Sequence, residues 1–547
     1  MERRCIGTVL LVVLFGVVAS APCAEIVFPP LPEPADVAGD KPTPENRYSA
    51  VPVAEDDALI FPPDAEAVLR VKAANRSEAD VRLVAAVRDF QGVELKDREK
   101  TAAEEKGETV VAFGVRRFYR IDTLPDKTVG QGETLVKAGA QGELRIPLGK
   151  MPPGFYMVDL TFFRGAERLS NRKYPLGVFE KAEVRKVTPP AVPVAVYSGL
   201  MHYRRTTEPV FWKTYVHAVA HDLKKHNLNA VVACGGFDTG EVNIYNRYGI
   251  AGISRGGRWL DHSGVIASFI SDEPKPGEEL ERLKQTYDEL RKKSDKIITT
   301  CMVGDGMGLT TPADPVNLWK VLQPKVRVFR WYGIKKHHYG VLHHIHYKGR
   351  LRFTSILRIA EISSDTPWWV ILPGFGGDHH EAYFQNPSPA QMRSMMHLSL
   401  AYGADGLIFY LYQTGLVDPV TLKPRDGKLA AMGEVAGYIA KHIELLKSRA
   451  HGGLDIRCPS PVVEALPVRV GEQKQRAVYA VNKDPKNAVS TRLMLWNEVW
   501  DWSRAHDVFG EKDLRIAKDE EGYLFVPLEL QPGEGRLIVT DADLKKK

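Results

Sequence analysis

The chain has 547 residues, 44% of them apolar and 26% charged, with a formal net charge of +6. That length exceeds what one hydrophobic core supports, and the composition is ordinary globular material, neither disordered nor coiled coil. So small a positive excess, with no basic stripe interleaved with aromatics, excludes a nucleic-acid binder on electrostatic grounds.

The first segment reads as a signal peptide over residues 1–24. Arg3 and Arg4 precede an apolar run at 6–18, and small residues follow at 19–24. The run is too short for a membrane span, and no other stretch reaches that length. A lipid anchor on Cys23 is disfavoured by Pro22 just before it. The mature protein is therefore expected to be soluble and secreted or periplasmic. Cys234, Cys301 and Cys458 then stand far apart with no paired spacing, which argues against a disulfide framework and a zinc ribbon. Cys234 and Cys301 end apolar runs and read as small buried residues.

After a Pro-rich entry at 29–34, residues 45–185 read as short strands (67–73, 81–87 and 154–162 among them) broken by Gly, Asn, Asp and Pro turns. This is the pattern of an antiparallel sandwich. Residues 187–190 look like a linker. From 191 the rhythm changes to strand, helix, strand, helix. Strands are predicted at 193–198, 229–233, near 249–254, at 265–271, 296–303, 326–332, 367–373 and 406–413. Phe211, Tyr215, Val219 and Leu223 mark one helix face, and Leu280, Leu283, Tyr287 and Leu290 another. Ser388-Pro389-Ala390-Gln391 is a capping box with Pro at the first helical position, and Gly403 is a stop. Leu429, Met432, Ala436, Ile439, Ile443 and Leu446 carry the last helix.

Eight strands in about 260 residues predict a (β/α)₈ TIM barrel. An open doubly wound sheet is the alternative, but no Gly-rich dinucleotide fingerprint follows the first strand. From about 453 the pattern returns to strands. The expected organisation is thus a β-sandwich domain at 25–190, a barrel at 191–452 and a small C-terminal β domain at 453–547.

The chemistry concentrates at Ser271-Asp272-Glu273-Pro274, where a buried, parallel-type strand stops. Strand ends are where a barrel collects its catalytic groups. Asp272 could instead cap the next helix. That would put Pro276 at the fourth helical position, where its missing N–H removes the first intrahelical bond. The apolar period begins only at Leu280, so the helix is expected to open at Pro276, leaving Asp272 and Glu273 in the strand-to-helix loop. Burial beside aromatics, and the neighbouring Asp272 carboxylate, would raise the pKa of Glu273 and suit it to general acid catalysis. The seventh strand ends in Pro373-Gly374-Phe375-Gly376-Gly377 with no carboxylate at its tip, and the loop beyond offers Asp378 and Glu381.

Aromatics crowd the same face: Trp259, Trp331, Tyr332, Trp368, Trp369, Tyr410 and Tyr412. Sugar rings pack their C–H faces on aromatic planes, so such a rim suits a saccharide, although about half of these residues are expected to be barrel core. His202 follows the first strand and could bind a hydroxyl. His337, His338, His343, His344, His346, His379 and His380 follow strands six and seven and, with Asp378 and Glu381, could hold a divalent metal. They sit deep in loops, with no His-x-x-x-His helix pair, so solvated loop histidines are the preferred reading and no metal or cofactor is assigned. No Gly-x-Ser-x-Gly elbow or phosphate loop is present.

Three stretches carry a family resemblance: residues 271–274, residues 387–393 leading to 401–410, and residues 530–536. With the domain order, they make the chain resemble secreted bacterial glycoside hydrolases over most of the mature protein. In the large retaining clan of such barrels, a strand-four Glu is the acid/base and a strand-seven Glu the nucleophile. Glu273 matches the first role, and the second is missing from its place. The adjacent Asp-Glu pair is similar to that of β-N-acetylhexosaminidases that use the substrate's own acetamido group. The resemblance implies that Glu273 protonates the leaving oxygen while Asp272 orients the acetamido. An inverting enzyme with Asp378 or Glu381 as base is the other option.

The expected function is hydrolysis of an O-glycosidic bond in an extracellular poly- or oligosaccharide. The alternatives are a non-catalytic carbohydrate-binding protein on a decayed barrel, or a metal-dependent hydrolase using the His-rich loops.

Overall fold

Alternating apolar residues build the first two sheets. The computed structural model describes residues 47–544 except 107, 109, 114–116, 184–186, 199–208, 234–238, 273–277, 304–319, 332–344, 348–349, 353–355, 357–358, 361–362, 376–385, 452–455 and 497–499. The chain opens with β1 (Tyr48–Pro52), β2 (Ile60–Phe61), β3 (Glu66–Asn75), β4 (Val81–Leu95) and helix α1 (Asp97–Glu105). There follow β5 (Val110–Phe113), β6 (Arg117–Val136), β7 (Gln141–Lys150), β8 (Gly154–Arg164) and β9 (Glu167–Val178). Strands β1-β3-β7 form one sheet and β2-β9-β8-β4-β6-β5 another. In β3, Ala67, Leu69, Val71 and Ala73 are buried and the residues between them point outward. They meet Leu83, Ala85 and Val87 of β4 and Val158, Leu160 and Phe162 of β8 in one core.

The next segment supplies β10 (Val194–Ser198), α2 (Pro209–Lys225), β11 (Ala230–Ala233), α3 (Thr239–Arg247), β12 (Ala251–Arg255), β13 (Val265–Asp272), α4 (Glu278–Lys293) and β14 (Ile297–Val303). It continues through β15 (Arg327–Arg330), the short antiparallel pair β16 (Ile345–Tyr347) and β17 (Arg350–Arg352), β18 (Trp368–Pro373), α5 (Pro389–Ala401) and β19 (Gly406–Tyr410). Strands β10 to β15, β18 and β19 pair in parallel and close on themselves through β10 and β19. This is the eight-stranded barrel that the strand–helix rhythm predicts.

Strand alternation divides the barrel into two apolar layers. Ala195, Tyr197, Val232, Ile253, Phe269, Val328, Ile371 and Ile408 fill the interior. Val194, Val196, Val231, Phe329, Val370, Leu372, Leu407 and Phe409 face the helices. The face of α2 marked by Phe211, Tyr215, Val219 and Leu223 is buried against that outer layer. Helix α5 begins with the predicted capping box: Gln391 N–H donates to Ser388 Oγ (3.2 Å) and Ser388 N–H to Gln391 Oε1 (2.8 Å). Gly403, with φ of +95°, takes the left-handed turn after it.

Two local features depart from the regular repeat. No helix lies between β12 and β13, where residues 256–264 return the chain with Gly256 and Gly257 at positive φ. The last predicted helix is also interrupted. Helix α6 (Lys428–Lys441) ends at His442 (φ −114°, ψ 29°) and α7 (Ile443–Leu446) resumes, keeping Leu446 buried.

The C-terminal strands are β20 (Ala450–His451), β21 (Ile456–Arg457), β22 (Val463–Val470), β23 (Gln475–Asn482), β24 (Val489–Leu495) and β25 (Trp500–Asp507). They are followed by β26 (Lys512–Leu514), β27 (Ala517–Lys518), β28 (Leu524–Leu530) and β29 (Gly535–Leu544). Six of them form the sheet β20-β22-β23-β29-β25-β26 and four the sheet β21-β24-β28-β27. Strand β23 is buried on both faces. Val478 and Ala480 meet the four-stranded sheet, while Ala477, Tyr479 and Val481 join the layer over the barrel helices.

Candidate active site

The parallel strands end around one rim, and the inward side chains nearest it form an aromatic floor. Tyr197 of β10 stands 6.2 Å from Phe269 of β13 and edge-on to Tyr410 of β19 at 5.4 Å, ring centre to ring centre. Phe375, just past β18, meets Tyr410 edge-on at 5.6 Å. Tyr197 and Phe375 are buried, and Tyr410 is half-buried. The inward series Ala251, Ile253 and Val328 continues by strand alternation to Arg255 and Arg330, both half-buried at the strand ends.

Asp272 is the last residue of β13, the fourth barrel strand, and pairs with Cys301 after a register shift beyond Phe269. Thr300 Oγ1 donates to the Ser271 carbonyl at 2.9 Å, pinning this strand tip to its neighbour. Cys301 is buried in the barrel interior, as the apolar run before it predicts. Glu273, Asp378, Glu381, His202, Tyr332 and Cys234 lie outside the described residues, as do the loop histidines apart from the backbone of His346.

The tips of strands eight and one are joined by a buried hydrogen bond, Gln413 Nε2 donating to Ser198 Oγ at 3.1 Å. Strand seven is fixed differently. Lys428, at the start of α6, donates to the Gly374 carbonyl (3.3 Å) and to Asn386 Oδ1 (2.7 Å). It therefore ties together both flanks of the segment 376–385 that carries Asp378 and Glu381. Its ammonium is almost fully buried, which pushes its pKa down to about 8, while Asp426 at 3.9 Å opposes the shift.

Several aromatics predicted for the rim lie elsewhere. Trp331 is fully buried in the layer between strands and helices. Trp368 opens β18 rather than ending it and packs edge-on to Phe329 at 6.4 Å in that same layer. Tyr412 is also fully buried, its hydroxyl donating to Asp222 Oδ2 on α2. Burial first and Asp222 second hold that phenol well above the usual tyrosine range. Trp259 sits in the helix-less connection 256–264, half-buried against the outer layer. Trp369 fills the barrel interior. Of the described aromatics predicted to bind substrate, Tyr410 alone belongs to the floor.

For the pair Trp368-Trp369 the reason is strand alternation, since of two adjacent aromatics in a barrel strand one faces the interior and the other the helices, whereas Tyr412, two residues from Tyr410, lies beyond the end of β19. Tyr197 and Phe269 were missed because they occur singly. Steps of two along the strands from Ala195 and Ala267 reach Tyr197 and Phe269 on the inner series.

No protein-family model and no curated protein sequence matches the chain. Among solved structures it is similar to a family 39 glycoside hydrolase from Bacteroides cellulosilyticus WH2, at 12% identity over 89% of this chain and 99% of that one, TM-score 0.39. It is also similar to a Paenibacillus cycloisomaltooligosaccharide glucanotransferase complexed with cycloisomaltoheptaose, at 9% identity over 88% and 98%, TM-score 0.43. A third is a family 123 glycoside hydrolase from Clostridium perfringens, at 10% identity over 70% and 84%, TM-score 0.29.

Proposed function

We propose that the chain is a glycoside hydrolase acting on an extracellular poly- or oligosaccharide, with Glu273 as general acid and Asp272 as the orienting or stabilising carboxylate. The observation that supports this most directly is the place of Asp272 at the tip of the fourth strand of a closed parallel barrel, on the rim above the floor of Tyr197, Phe269 and Tyr410. Barrel strands deliver catalytic groups at that end, and aromatic planes accept the C–H faces of sugars.

In this mechanism Glu273 donates its proton to the leaving glycosidic oxygen as the bond to the anomeric carbon breaks. The opposite face of that carbon is attacked by the substrate's own acetamido oxygen, held by Asp272, or by a water activated by Asp378 or Glu381. The strand-seven tip Pro373-Gly374-Phe375 has no carboxylate, so double displacement through an enzyme nucleophile there is disfavoured. Residues 1–24 act as an export signal on this reading, with a sandwich domain at 25–190, the catalytic barrel at 191–452 and a β domain at 453–547. Sequencing the N-terminus of the exported protein reads the first of these boundaries.

Glu273→Gln is expected to abolish release of reducing ends from a glycan panel, by about 10²-fold or more, with glycan binding and the melting transition unchanged. Turnover near the wild-type rate in that variant would overturn the assignment.

A further inference from the structure

One end of the outer face of the second sheet, with Phe90, Ile121 and Met157, packs on the barrel layer, and the rest of that face is covered by neither the sandwich core nor that layer. The uncovered part holds a cavity of about 670 Å³, in the size range of small-molecule sites. Strand alternation builds it. Leu83, Ala85 and Val87 of β4 and Val158 and Leu160 of β8 point into the sandwich core. Arg82, Val84, Ala86 and Arg88, with Asp159 and Thr161, therefore point out into the cavity. One wall rises where β4 and β6 lose register. Arg88 pairs with Thr128 but Phe90 with Thr123, so the residues between bulge outward and Leu124 and Pro125 line the cavity. Thr128 Oγ1 donates back to the Pro125 carbonyl at 3.0 Å and holds the bulge.

The floor contains an acceptor and a donor left open together. Asp159 is 5% exposed. Its Oδ2 accepts from Thr123 Oγ1 at 2.8 Å and lies 3.6 Å from Arg88 Nη1. Its Oδ1 is buried and makes no hydrogen bond among the described residues, and the same is true of Arg88 Nε. A buried carboxylate oxygen wants a donor and a buried guanidinium N–H wants an acceptor. A hydroxyl supplies both. An anion would satisfy Arg88 and be repelled by Asp159, and a cation the reverse.

The remaining lining fits a neutral, hydroxyl-rich ligand. Gln91, Gln131, Thr161 and Asn171 offer uncharged donors and acceptors, with Asn171 Nδ2 donating to Thr161 Oγ1 at 2.6 Å. Most charges around them are already committed: Arg82 to Glu133 at 3.2 Å, Asp122 to Arg120 at 2.9 Å, and Lys173 Nζ to the Ile121 carbonyl at 3.1 Å. Arg168, which also lines the cavity, is exposed.

We infer that this outer sheet face is a binding site for a neutral oligosaccharide, separate from the barrel rim and independent of whether the barrel hydrolyses anything. It would hold the chain on a glycan mainly by hydrogen bonding, since Phe163, the aromatic in the lining, lies under the Arg82 guanidinium. The test uses the full chain on immobilised neutral glucans, xylans, mannans and galactans, beside pectin, alginate and a sulfated galactan, followed by calorimetric titration of the best oligosaccharide. Binding to a neutral glycan is expected, equal in wild type and Glu273→Gln. It should weaken about tenfold or more in Arg88→Met and in the double variant Gln131→Ala/Asn171→Ala, whose partly exposed side chains leave the sandwich core untouched. Three outcomes would overturn the proposal: no binding to any neutral glycan, binding only to the acidic glycans, or unchanged affinity in correctly folded groove variants. Loss of binding in Glu273→Gln alone would point to the barrel rim and count against it as well.

Discussion

Two histidines give the protein a pH response unrelated to catalysis. His397 on α5 is buried, with Nδ1 2.9 Å from the Tyr479 hydroxyl, and burial, aided by Arg393, pushes its pKa down to about 3. His217 on α2 is likewise held near 3, first by burial and then by Lys181 and Arg247. Both are neutral in the folded chain, whereas the unfolded chain protonates them near 6.5. Their contribution to stability is therefore complete above about pH 6.5 and is lost as pH falls towards 3, at about 1.4 kcal/mol per pH unit for each. A series of urea midpoints between pH 7 and pH 4 should fall steadily, and His397→Leu should shed its share of that slope. An unchanged slope in the variant would show that His397 takes up no proton on unfolding.

At the scale of elements, Lys428 shows how one side chain serves a whole loop. It reaches from α6 to Gly374 on one flank of residues 376–385 and to Asn386 on the other. Replacing it by Met keeps the stem and removes both hydrogen bonds, leaving the Gly374 carbonyl without this partner. We expect faster amide hydrogen exchange in the peptides around 372–375 and 386–388, with little change in β10 to β13. Exchange identical to wild type would mean that the buried ammonium does not restrain the loop. The eight strands themselves were readable because parallel barrel strands are buried on both faces and appear as short continuous apolar runs, such as 230–233 and 368–372. The missing helix between β12 and β13 left no such mark. Gly256 and Gly257 permit the turn, and only packing shows Trp259 occupying the outer layer there.

At the scale of the molecule, one apolar layer runs from the second sheet through the barrel helices to the last six-stranded sheet. Phe90, Ile121 and Phe179 from the first region, Tyr215 and Val219 from α2, and Tyr479 and Leu537 from the C-terminal sheet belong to it. The contact with α5 is tight at two glycines. A Cβ on Gly533, whose φ is +69°, would come within 1.9 Å of the Ala390 carbonyl oxygen, and one on Gly535 within 2.3 Å of the His397 ring. Gly533→Ala is expected to cost more than about 2 kcal/mol, through backbone strain plus overpacking. A wild-type melting temperature in that variant would show that the C-terminal sheet is free to shift away from the barrel.

The sequence by itself determined the barrel and most of its phasing, because burial on two faces, helix periodicity and the Ser388 capping box are local properties of the chain. It also placed Asp272 at a strand tip, since an apolar run must stop where the carboxylates begin. Which aromatics reach the rim was decided only by tertiary structure. Trp331, Trp368 and Tyr412 are equally good sugar platforms on paper, but whether a strand residue faces the interior or the helices depends on register and bulges fixed by pairing with neighbours far along the chain. The same holds for the polar cavity of the second sheet. Arg88 and Asp159 acquire their meaning only when antiparallel pairing sets β4 beside β8 and leaves one donor and one acceptor open on the same face.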